Sequence, residues 1–505
     1  MNKRIWIFSG VYIRMAEMSY VRQYRRGGST YVQVVFKDGR RISKIIHIGT
    51  AHDQVELDVL LKRAEEIRTD KNQQSLFRIS GQESDLLLGS TASKLLYSLI
   101  LNNYNHLGFN EIDDEVFQHL VVARIVEPVS KLDSIRVIEE LGINGISKDR
   151  IYRSLLKTTR NDYRKIIAKK CKENRKINDC SILLYDVTTL YFETLSEDGK
   201  RIPGLSKERR LEPQIVVGLL VDQKGFPLSL QMFAGNTAET KTMVPVLQEF
   251  REDYGMDNLT VVADAAMLNQ GNLLKIIENG FNYIIGSRQH KMPFAIEEYL
   301  KTHKTPVDLD IAESSLIKDE HEQRAIYQYS SKRAKLDLKN IEKQVKKAQN
   351  IIAGIGKLKK NKFVRLELRG KKLNQALIEK ARSLAGFKGY VTNLNLPAQE
   401  IINHYHGLWH VEATFRMSKH DLRARPIFHH KEESIEAHLT VVMAGMAVSK
   451  MMEEKSGLAV KKIIKLLKPL RTGTLLSKTD GSILEIQPQI PGKYIDLIER
   501  LSRGY

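Results

Sequence analysis

The spacing of apolar residues changes twice along the chain, and each change predicts a different kind of structure. Residues 19–49 contain β-rich runs on either side of a turn, which predict a small β unit. From 53 to 180, apolar residues recur every three or four positions, which predicts a series of amphipathic helices. From residue 181 onward, short apolar runs bounded by turn residues predict buried strands with helices between them.

The elements predicted from residue 181 follow the order β-β-β-α-β-α-β. The strands are expected at 181–186, 215–221, 226–233, 259–263 and 282–286, and the helices at 240–252 and 270–279. We expect the first three strands to form an antiparallel meander and the later strands to add in parallel. The predicted fold class of this region is therefore α/β with a mixed sheet.

Composition adds a strong positive charge to this picture. The 505 residues include 80 Lys and Arg against 60 Asp and Glu, a formal net charge of +20. Such a balance favours a polyanionic partner, with nucleic acid first and a merely basic surface as the alternative. Two cysteines supply neither a disulfide framework nor a zinc-finger set, which fits a reducing cytoplasm. No apolar run reaches the roughly 20 residues of a membrane span, so no membrane partner is expected.

The charge is concentrated in a segment that interrupts the α/β pattern. The stretch 331–372 holds 15 Lys and Arg residues and three acids, which favours a DNA-backbone track over a solvated helical face. Strands are expected near 307–330 and 362–369, and Pro397 is expected to begin a helix. The predicted regions are a small β unit (1–52), a helical DNA-binding region (53–180), an α/β domain (181–288 with 389–440), a basic, partly β insertion subdomain (289–388) and a helical C-terminal region (441–505).

One pair of predicted helices has the pattern of a helix-turn-helix. A helix from Ser130 is expected to stop at Gly142, and Ser147 is the expected N-cap of the next helix. That second helix begins with several cationic and aromatic residues, including Lys148 and Tyr152. It could read DNA, or it could belong to an ordinary helical hairpin.

Two aspartates stand at the ends of predicted buried strands. Asp186 ends the run 182–186, and Asp264 ends the run 259–264. A carboxylate at such a position is costly unless it is paired or binds a metal ion. If these strands are neighbours, a helix folded across the same edge adds Glu412. Three carboxylates form an oxygen-rich site suited to Mg²⁺ or Mn²⁺, and two such ions support phosphoryl transfer.

The region around Glu412 has a regular spacing of polar side chains. Tyr405, Glu412 and Lys419 are separated by seven residues each, almost two helical turns. We therefore expect all three to project from one face of a single helix. An amphipathic helix with incidental charges is the alternative.

These residues and their surroundings resemble those of bacterial insertion-sequence transposases of the DDE type. The matching segments are YDVTTLYFET around Asp186, VVADAAM around Asp264 and YHGLWHVEATFRMSK around Glu412. One branch of that family carries the signature Tyr-x2-Arg-x3-Glu-x6-Lys, which Tyr405, Glu412 and Lys419 match. Leu408 stands where the signature has Arg, and Arg416 is the residue we hypothesise to replace that charge.

The resemblance implies an RNase H-like catalytic domain with metal ligands Asp186, Asp264 and Glu412. It also implies phosphate contacts by Tyr405 and Lys419. We further hypothesise that Trp409 stacks on a displaced base, with a core tryptophan as the alternative.

The implied activity is metal-dependent cleavage at element ends and strand transfer into target DNA, by at least a dimer on paired ends in the cytoplasm. The alternatives are an RNase H-like nuclease without strand transfer and a non-catalytic, domesticated DNA-binding protein. Terminal inverted repeats and short target duplications in the flanking DNA would favour transposition.

Overall fold

A computed structural model describes most of the chain. The described residues are 18–26, 29–38, 41–52, 54–75, 86–178, 181–193, 197–204, 212–256, 258–265, 270–287, 292–303, 305–318, 321–355, 361–367, 370–429, 431–477 and 481–503. They separate into two compact units, drawn from Met1–Thr91 with Thr472–Pro488 and from Ala92–Arg471 with Gln489–Tyr505. Among them, no helix is both long and apolar enough to cross a membrane.

The N-terminal part contains the β unit that its alternating pattern predicts. Its elements are β1 (Met18–Arg26), β2 (Ser29–Asp38), β3 (Arg41–Ala51), α1 (Gln54–Ser75) and β4 (Leu86–Ala92). β1, β2 and β3 form an antiparallel sheet with β2 in the centre. Val32, Val34 and Phe36 alternate along β2 and are buried together with Ala64 of α1. One face of the sheet is therefore covered by the helix.

A helical region follows, as the three-to-four residue spacing predicts. Its helices are α2 (Lys94–His106), α3 (Glu115–Val126), α4 (Ser134–Glu140), α5 (Lys148–Arg160) and α6 (Tyr163–Arg175). Ser147 caps α5 as predicted, because its side chain accepts a hydrogen bond from Arg150 N at 3.3 Å. Gly142 follows α4 with a φ of +95°, a conformation that favours glycine.

The α/β region has the predicted order of elements. These are β5 (Ile182–Tyr191), β6 (Gln214–Val221), β7 (Pro227–Ala234), α7 (Met243–Tyr254), β8 (Thr260–Ala263), α8 (Gln270–Glu278) and β9 (Asn282–Ser287). β5, β6 and β7 pair antiparallel, and β8 and β9 add in parallel. Asp222 fixes the β6–β7 turn, since its Oδ1 accepts hydrogen bonds from Lys224 N and Phe226 N, both at 2.8 Å. The predicted mixed α/β sheet is thus confirmed.

Strands of the basic insertion join the main sheet. Its elements, up to the strand that ends it, are α9 (Phe294–Thr302), β10 (Ile311–Lys318), β11 (His321–Tyr329), α10 (Ser331–Ile352), β12 (Val364–Glu367), β13 (Gly370–Leu373), α11 (Gln375–Ser383) and β14 (Phe387–Thr392). The main sheet has eight strands in the order β10-β11-β14-β9-β8-β5-β6-β7. Two strands of the insertion, β10 and β11, therefore extend the α/β sheet, and β12 and β13 form a separate hairpin.

The C-terminal part departs from the wholly helical prediction. Its elements are α12 (Ala398–His406), α13 (Trp409–Arg416), α14 (Glu432–Ser456), α15 (Val460–Leu467), β15 (Thr472–Ser477), β16 (Ile483–Ile486) and α16 (Ile495–Ser502). β15 and β16 pair with each other and β15 pairs with β4, which lies in a region also expected to be helical. The prediction is wrong for these strands because each is short, and because β4 and β15 pair with each other across a large sequence separation, which local periodicity does not report.

Candidate active site

The two predicted aspartates belong to neighbouring parallel strands in the middle of the main sheet. Asp264 follows β8 as predicted, but Asp186 does not end its strand, because β5 continues to Tyr191 through its antiparallel pairing with β6. β5 pairs with β8 so that Leu184 lies opposite Val262. Continuing this register by two residues brings Asp186 level with Asp264, which directly follows the last residue of β8. Adjacent strands lie about 4.8 Å apart. The structure therefore brings these two acids together as neighbours.

Asp264 is held by another predicted residue, Tyr405. The Tyr405 Oη donates a hydrogen bond to Asp264 Oδ1 at 2.9 Å. The phenol is 4% exposed and packs edge to face on Tyr390, with ring centroids 4.9 Å apart. Burial and, next, the charge of Asp264 raise the pKa of Tyr405, so its hydroxyl stays protonated and remains a donor. A Cβ at Gly286 would lie 2.4 Å from this hydroxyl, so the close approach requires glycine.

Lys388 and Arg333 lie near Asp264 and Tyr405, and neither was predicted from the sequence. Lys388, on β14, lies with its Nζ 4.3 Å from the centroid of the Tyr405 ring. Burial and, next, the charge of Arg333 lower the pKa of Lys388, while Asp264 and Glu412 act in the opposite direction. The charges of Asp264 and Glu412 therefore both act on the half-buried ammonium group of Lys388.

A cavity of about 380 Å³ opens over this corner, and Asp264, Gly286, Arg333, Lys388, Gly389 and Tyr405 are among the residues that line it. Arg333, on α10, is 47% exposed in its side chain and contacts Asp337 at 3.5 Å. No sequence signal singled out Arg333 among the cations of the basic run. Lys388 lies in a short strand whose spacing relates it to neither aspartate.

Glu412 is carried by α13, which packs across the same sheet. Val411 and Phe415 are buried, and the Thr414 hydroxyl donates a hydrogen bond to the Gly225 carbonyl oxygen at 2.7 Å. Glu412 lies roughly 160° round the helix from Thr414, so it faces away from that turn, and it is exposed. Among the described residues, no three His, Cys, Asp or Glu side chains are grouped closely enough to hold a metal ion. The three predicted acids thus do not form one compact group.

The expectation that Tyr405, Glu412 and Lys419 lie on a single helix is wrong. The helix breaks at Gly407, the weakest helix former in this stretch, where hydrogen bonds between residues three apart tighten the chain. After α13 the chain enters a π-turn at Met417–Asp421, which changes the phase again. Tyr405 is buried and Glu412 is exposed.

The other residues predicted to contact DNA lie on α13 or just beyond it. Trp409 is 59% exposed, and its ring centroid lies 3.7 Å from that of His410. This exposure removes the alternative that Trp409 is a core residue. Arg416 is exposed at the end of α13, and Lys419 is half-buried in the π-turn. These three are absent from the described lining of the cavity beside Asp264, and their contacts with DNA stay predictions.

The predicted helix-turn-helix segment presents a basic and aromatic outer face. On α5, Ile151 and Leu155 are buried, while Tyr152 is 46% exposed. The Lys148 ammonium lies 5.7 Å from the centroid of the Tyr152 ring. This geometry is compatible with DNA reading and with a helical hairpin, so the two interpretations stay open.

Comparison with known proteins identifies the family. Over residues 178–446, more than half of its length, the chain matches the family described as transposase DDE domain. The chain belongs to this family and is an enzyme that acts on DNA, a DNA transposase, as the resemblance in the sequence predicts. No curated protein matches it.

Among solved structures, the cryo-electron microscopy structure of a piggyBac transposase synaptic complex with hairpin DNA is similar to this chain. The similarity covers 72% of this chain and 70% of that chain, with 9% sequence identity and a TM-score of 0.39.

Proposed function

We propose that this transposase moves an insertion sequence by a cut-and-paste route, with Asp186, Asp264 and Glu412 as its catalytic acids in an RNase H-like domain. The observation that supports the proposal is the parallel pairing of β5 with β8, whose register, continued by two residues, sets Asp186 level with Asp264, while α13, which bears Glu412, packs on β5. The strand order β7-β6-β5-β8-β9, antiparallel for three strands and then parallel, supports the RNase H-like assignment.

The three acids have the donor chemistry for one or two Mg²⁺ or Mn²⁺ ions. Transposases of the DDE family generally depend on divalent metal ions, and such hard cations prefer oxygen ligands. Within the described part of the chain, no Lys or Arg neutralises Asp264 or Glu412 through an ion pair. Joint ligation requires Glu412 to come closer to the aspartates than it lies here. When bound, two such ions would activate the attacking oxygen and stabilise the leaving oxygen.

The chain's own side chains would position the reacting groups. Tyr405 occupies one oxygen of Asp264 and so fixes the direction of the other. Basic side chains, including Lys419 and Arg416, would hold the DNA phosphates, and no protein nucleophile is required. A water molecule would cleave at the element end, and the freed 3′-hydroxyl would then attack target DNA. Trp409 is placed on the surface where a displaced base could stack on it.

The partners in this proposal are double-stranded DNA, both terminal inverted repeats and target, and a second copy of the chain on the paired ends. A cytoplasmic location follows from where such DNA resides. The regions proposed from the sequence, with a helical DNA-binding region at 53–180 and a basic insertion at 289–388, give the DNA two protein surfaces to contact.

The test is an in vitro reaction with Mg²⁺, labelled DNA taken from the two flanks of the coding sequence, and a target plasmid. Wild type is compared with Glu412→Gln, which keeps size but removes the charge. Glu400→Gln is the matched control, because Glu400 is an exposed glutamate on the preceding helix α12. Cleavage and end joining in wild type and in the control, lost in Glu412→Gln while DNA binding persists, is the expected result.

Other outcomes select the alternatives. Cleavage without joining would favour an RNase H-like nuclease. Binding without cleavage in wild type would favour a non-catalytic DNA-binding protein. Equal activity of wild type and Glu412→Gln would remove Glu412 from the catalytic set.

A further inference from the structure

The cavity beside Asp264 contains an ammonium group without a close counter-ion. In the part of the chain that the structure describes, no carboxylate forms an ion pair with Lys388. Arg333, whose charge acts on Lys388, contacts Asp337 at 3.5 Å. Two cations that share a half-buried corner repel each other, and burial of an unpaired ammonium is unfavourable. The corner is therefore suited to an added negative charge.

Two acids act on this ammonium group without pairing with it. Burial and then the charge of Arg333 lower the pKa of Lys388, and the charges of Asp264 and Glu412 act in the opposite direction. An anion bound at Lys388 would supply the direct counter-charge that neither acid supplies.

The cavity has the shape and the fixed side chains that such an anion requires. Its volume of about 380 Å³ leaves room for a phosphate with its sugar. Tyr405 fixes the ammonium, because the Lys388 Nζ lies 4.3 Å from the centroid of its ring. Tyr405 is itself fixed by its hydrogen bond to Asp264. The cation is thus held in a defined place relative to a proposed metal ligand.

We propose that Lys388 and Arg333 bind one backbone phosphate of the element end in this cavity, beside Asp264. This inference rests on the proposed function and adds two positioning residues to it. They supply the phosphate contact that the departure from the family signature removes, since Leu408 is apolar and only 9% exposed. Arg416 has been the other candidate for that contact, but it lies outside the cavity's described lining.

The test measures DNA binding without metal, so that it does not depend on catalysis. Fluorescence anisotropy in EDTA would follow binding of a labelled, pre-cleaved end duplex over a series of salt concentrations. Affinity falls as salt rises, and loss of one phosphate contact makes the plot of log affinity against log salt less steep by about 0.9. We expect Lys388→Met to show this change with roughly tenfold weaker binding, and Lys388→Arg to restore the slope.

A matched control and a second variant make the result specific. Lys301→Met removes the same group from an exposed site on α9, where it pairs with Glu298 at 2.7 Å, and should leave the slope unchanged. Arg333→Gln removes the second proposed contact with the same phosphate. Because Arg333 is exposed on a helix, this variant still tests the proposal if Lys388→Met fails to fold. Thermal melting verifies that each variant is folded.

Replacing single phosphates of the end duplex by neutral methylphosphonates locates the contact. Wild type should lose affinity at one position near the cleaved bond, and Lys388→Met should be insensitive at that same position. Unchanged slope and sensitivity in both Lys388→Met and Arg333→Gln would overturn the inference, as would the same loss in Arg416→Ala instead. If the inference fails in either way, cleavage and joining by wild type would still support the proposed function. If wild type does not bind the element end at all, both the inference and the proposed function are overturned.

Discussion

Replacing Tyr405 by Phe would remove one oxygen from the candidate site and leave the ring in place. The lost hydrogen bond, 2.9 Å to Asp264 Oδ1, has a carboxyl group as its acceptor. Bonds to charged groups contribute about 1.5–3 kcal/mol. Asp264 is exposed and can regain part of this from water, so we expect folding stability to fall by only about 1 kcal/mol.

The effect on catalysis should be larger than the effect on stability. Partners that orient a metal-ligating side chain typically contribute about 10- to 100-fold to metal affinity or activity. If Tyr405 orients Asp264 for a metal ion, Tyr405→Phe should need more Mg²⁺ for half-maximal end cleavage. The rate at low Mg²⁺ should fall by about 10- to 100-fold, and high Mg²⁺ should recover much of it.

Single-turnover cleavage of a labelled element end over a Mg²⁺ series would measure this change. Tyr390→Phe is the matched control, because that phenol is 1% exposed and its hydroxyl lies 3.4 Å from His406 Nε2, away from Asp264. We expect the control to keep the Mg²⁺ dependence of wild type. The same dependence in Tyr405→Phe would refute the idea that this hydroxyl orients the carboxylate.

Three further predictions concern the surrounding structure. Gly286→Ala would place a Cβ 2.4 Å from the Tyr405 hydroxyl, so we expect a loss of about 1–3 kcal/mol in urea unfolding, partly relieved when combined with Tyr405→Phe. Asp222→Ala would remove both turn hydrogen bonds and the 2.7 Å ion pair with Arg175, with an expected loss of about 3–5 kcal/mol in the same assay. Burial, then the charges of Lys131, Arg124 and His429, lower the pKa of His438 well below its usual value. The unfolded chain therefore binds a proton near pH 6.5 that the folded chain does not. Wild type should lose about 1.4 kcal/mol more than His438→Gln between pH 7.5 and 5.5, and an equal loss would contradict this assignment.

The sheet from β5 to β9 could be predicted from the sequence because its strands are short apolar runs bounded by turn chemistry. Its turn residues are local signals, such as Asp222, whose side chain bonds the backbone two and four residues ahead. The end of one such strand located Asp264, whereas Asp186 lies within β5, which continues to Tyr191. That the two acids are neighbours was conditional on the pairing of β5 with β8, a contact between distant segments that local patterns do not report.

The helical part of the site was less predictable from spacing. Seven-residue intervals place side chains on one face only if the helix is continuous, and the break at Gly407 violates that condition. Helix propensity alone does not decide such a break, because tertiary contacts on both sides of it, of Tyr405 with Asp264 and of α13 with β5, also act on this segment. Lys388 was missed for a related reason: its meaning depends on Tyr405 and Asp264, which are distant in sequence and close only in the fold.

The position of Lys388 relative to the aspartates is set by the sheet itself. β14 pairs with β9 through Gly389 opposite Ser287 and Tyr390 opposite Gly286, and β9 pairs with β8, which leads to Asp264. On its other side β14 pairs with β11, a strand of the basic insertion. Two strands of the insertion are therefore bonded into the same sheet that carries Asp186 and leads to Asp264. A phosphate held at Lys388 would lie beside Asp264 on strands whose register backbone hydrogen bonds fix, and such positioning of reacting groups lowers the entropic cost of the reaction.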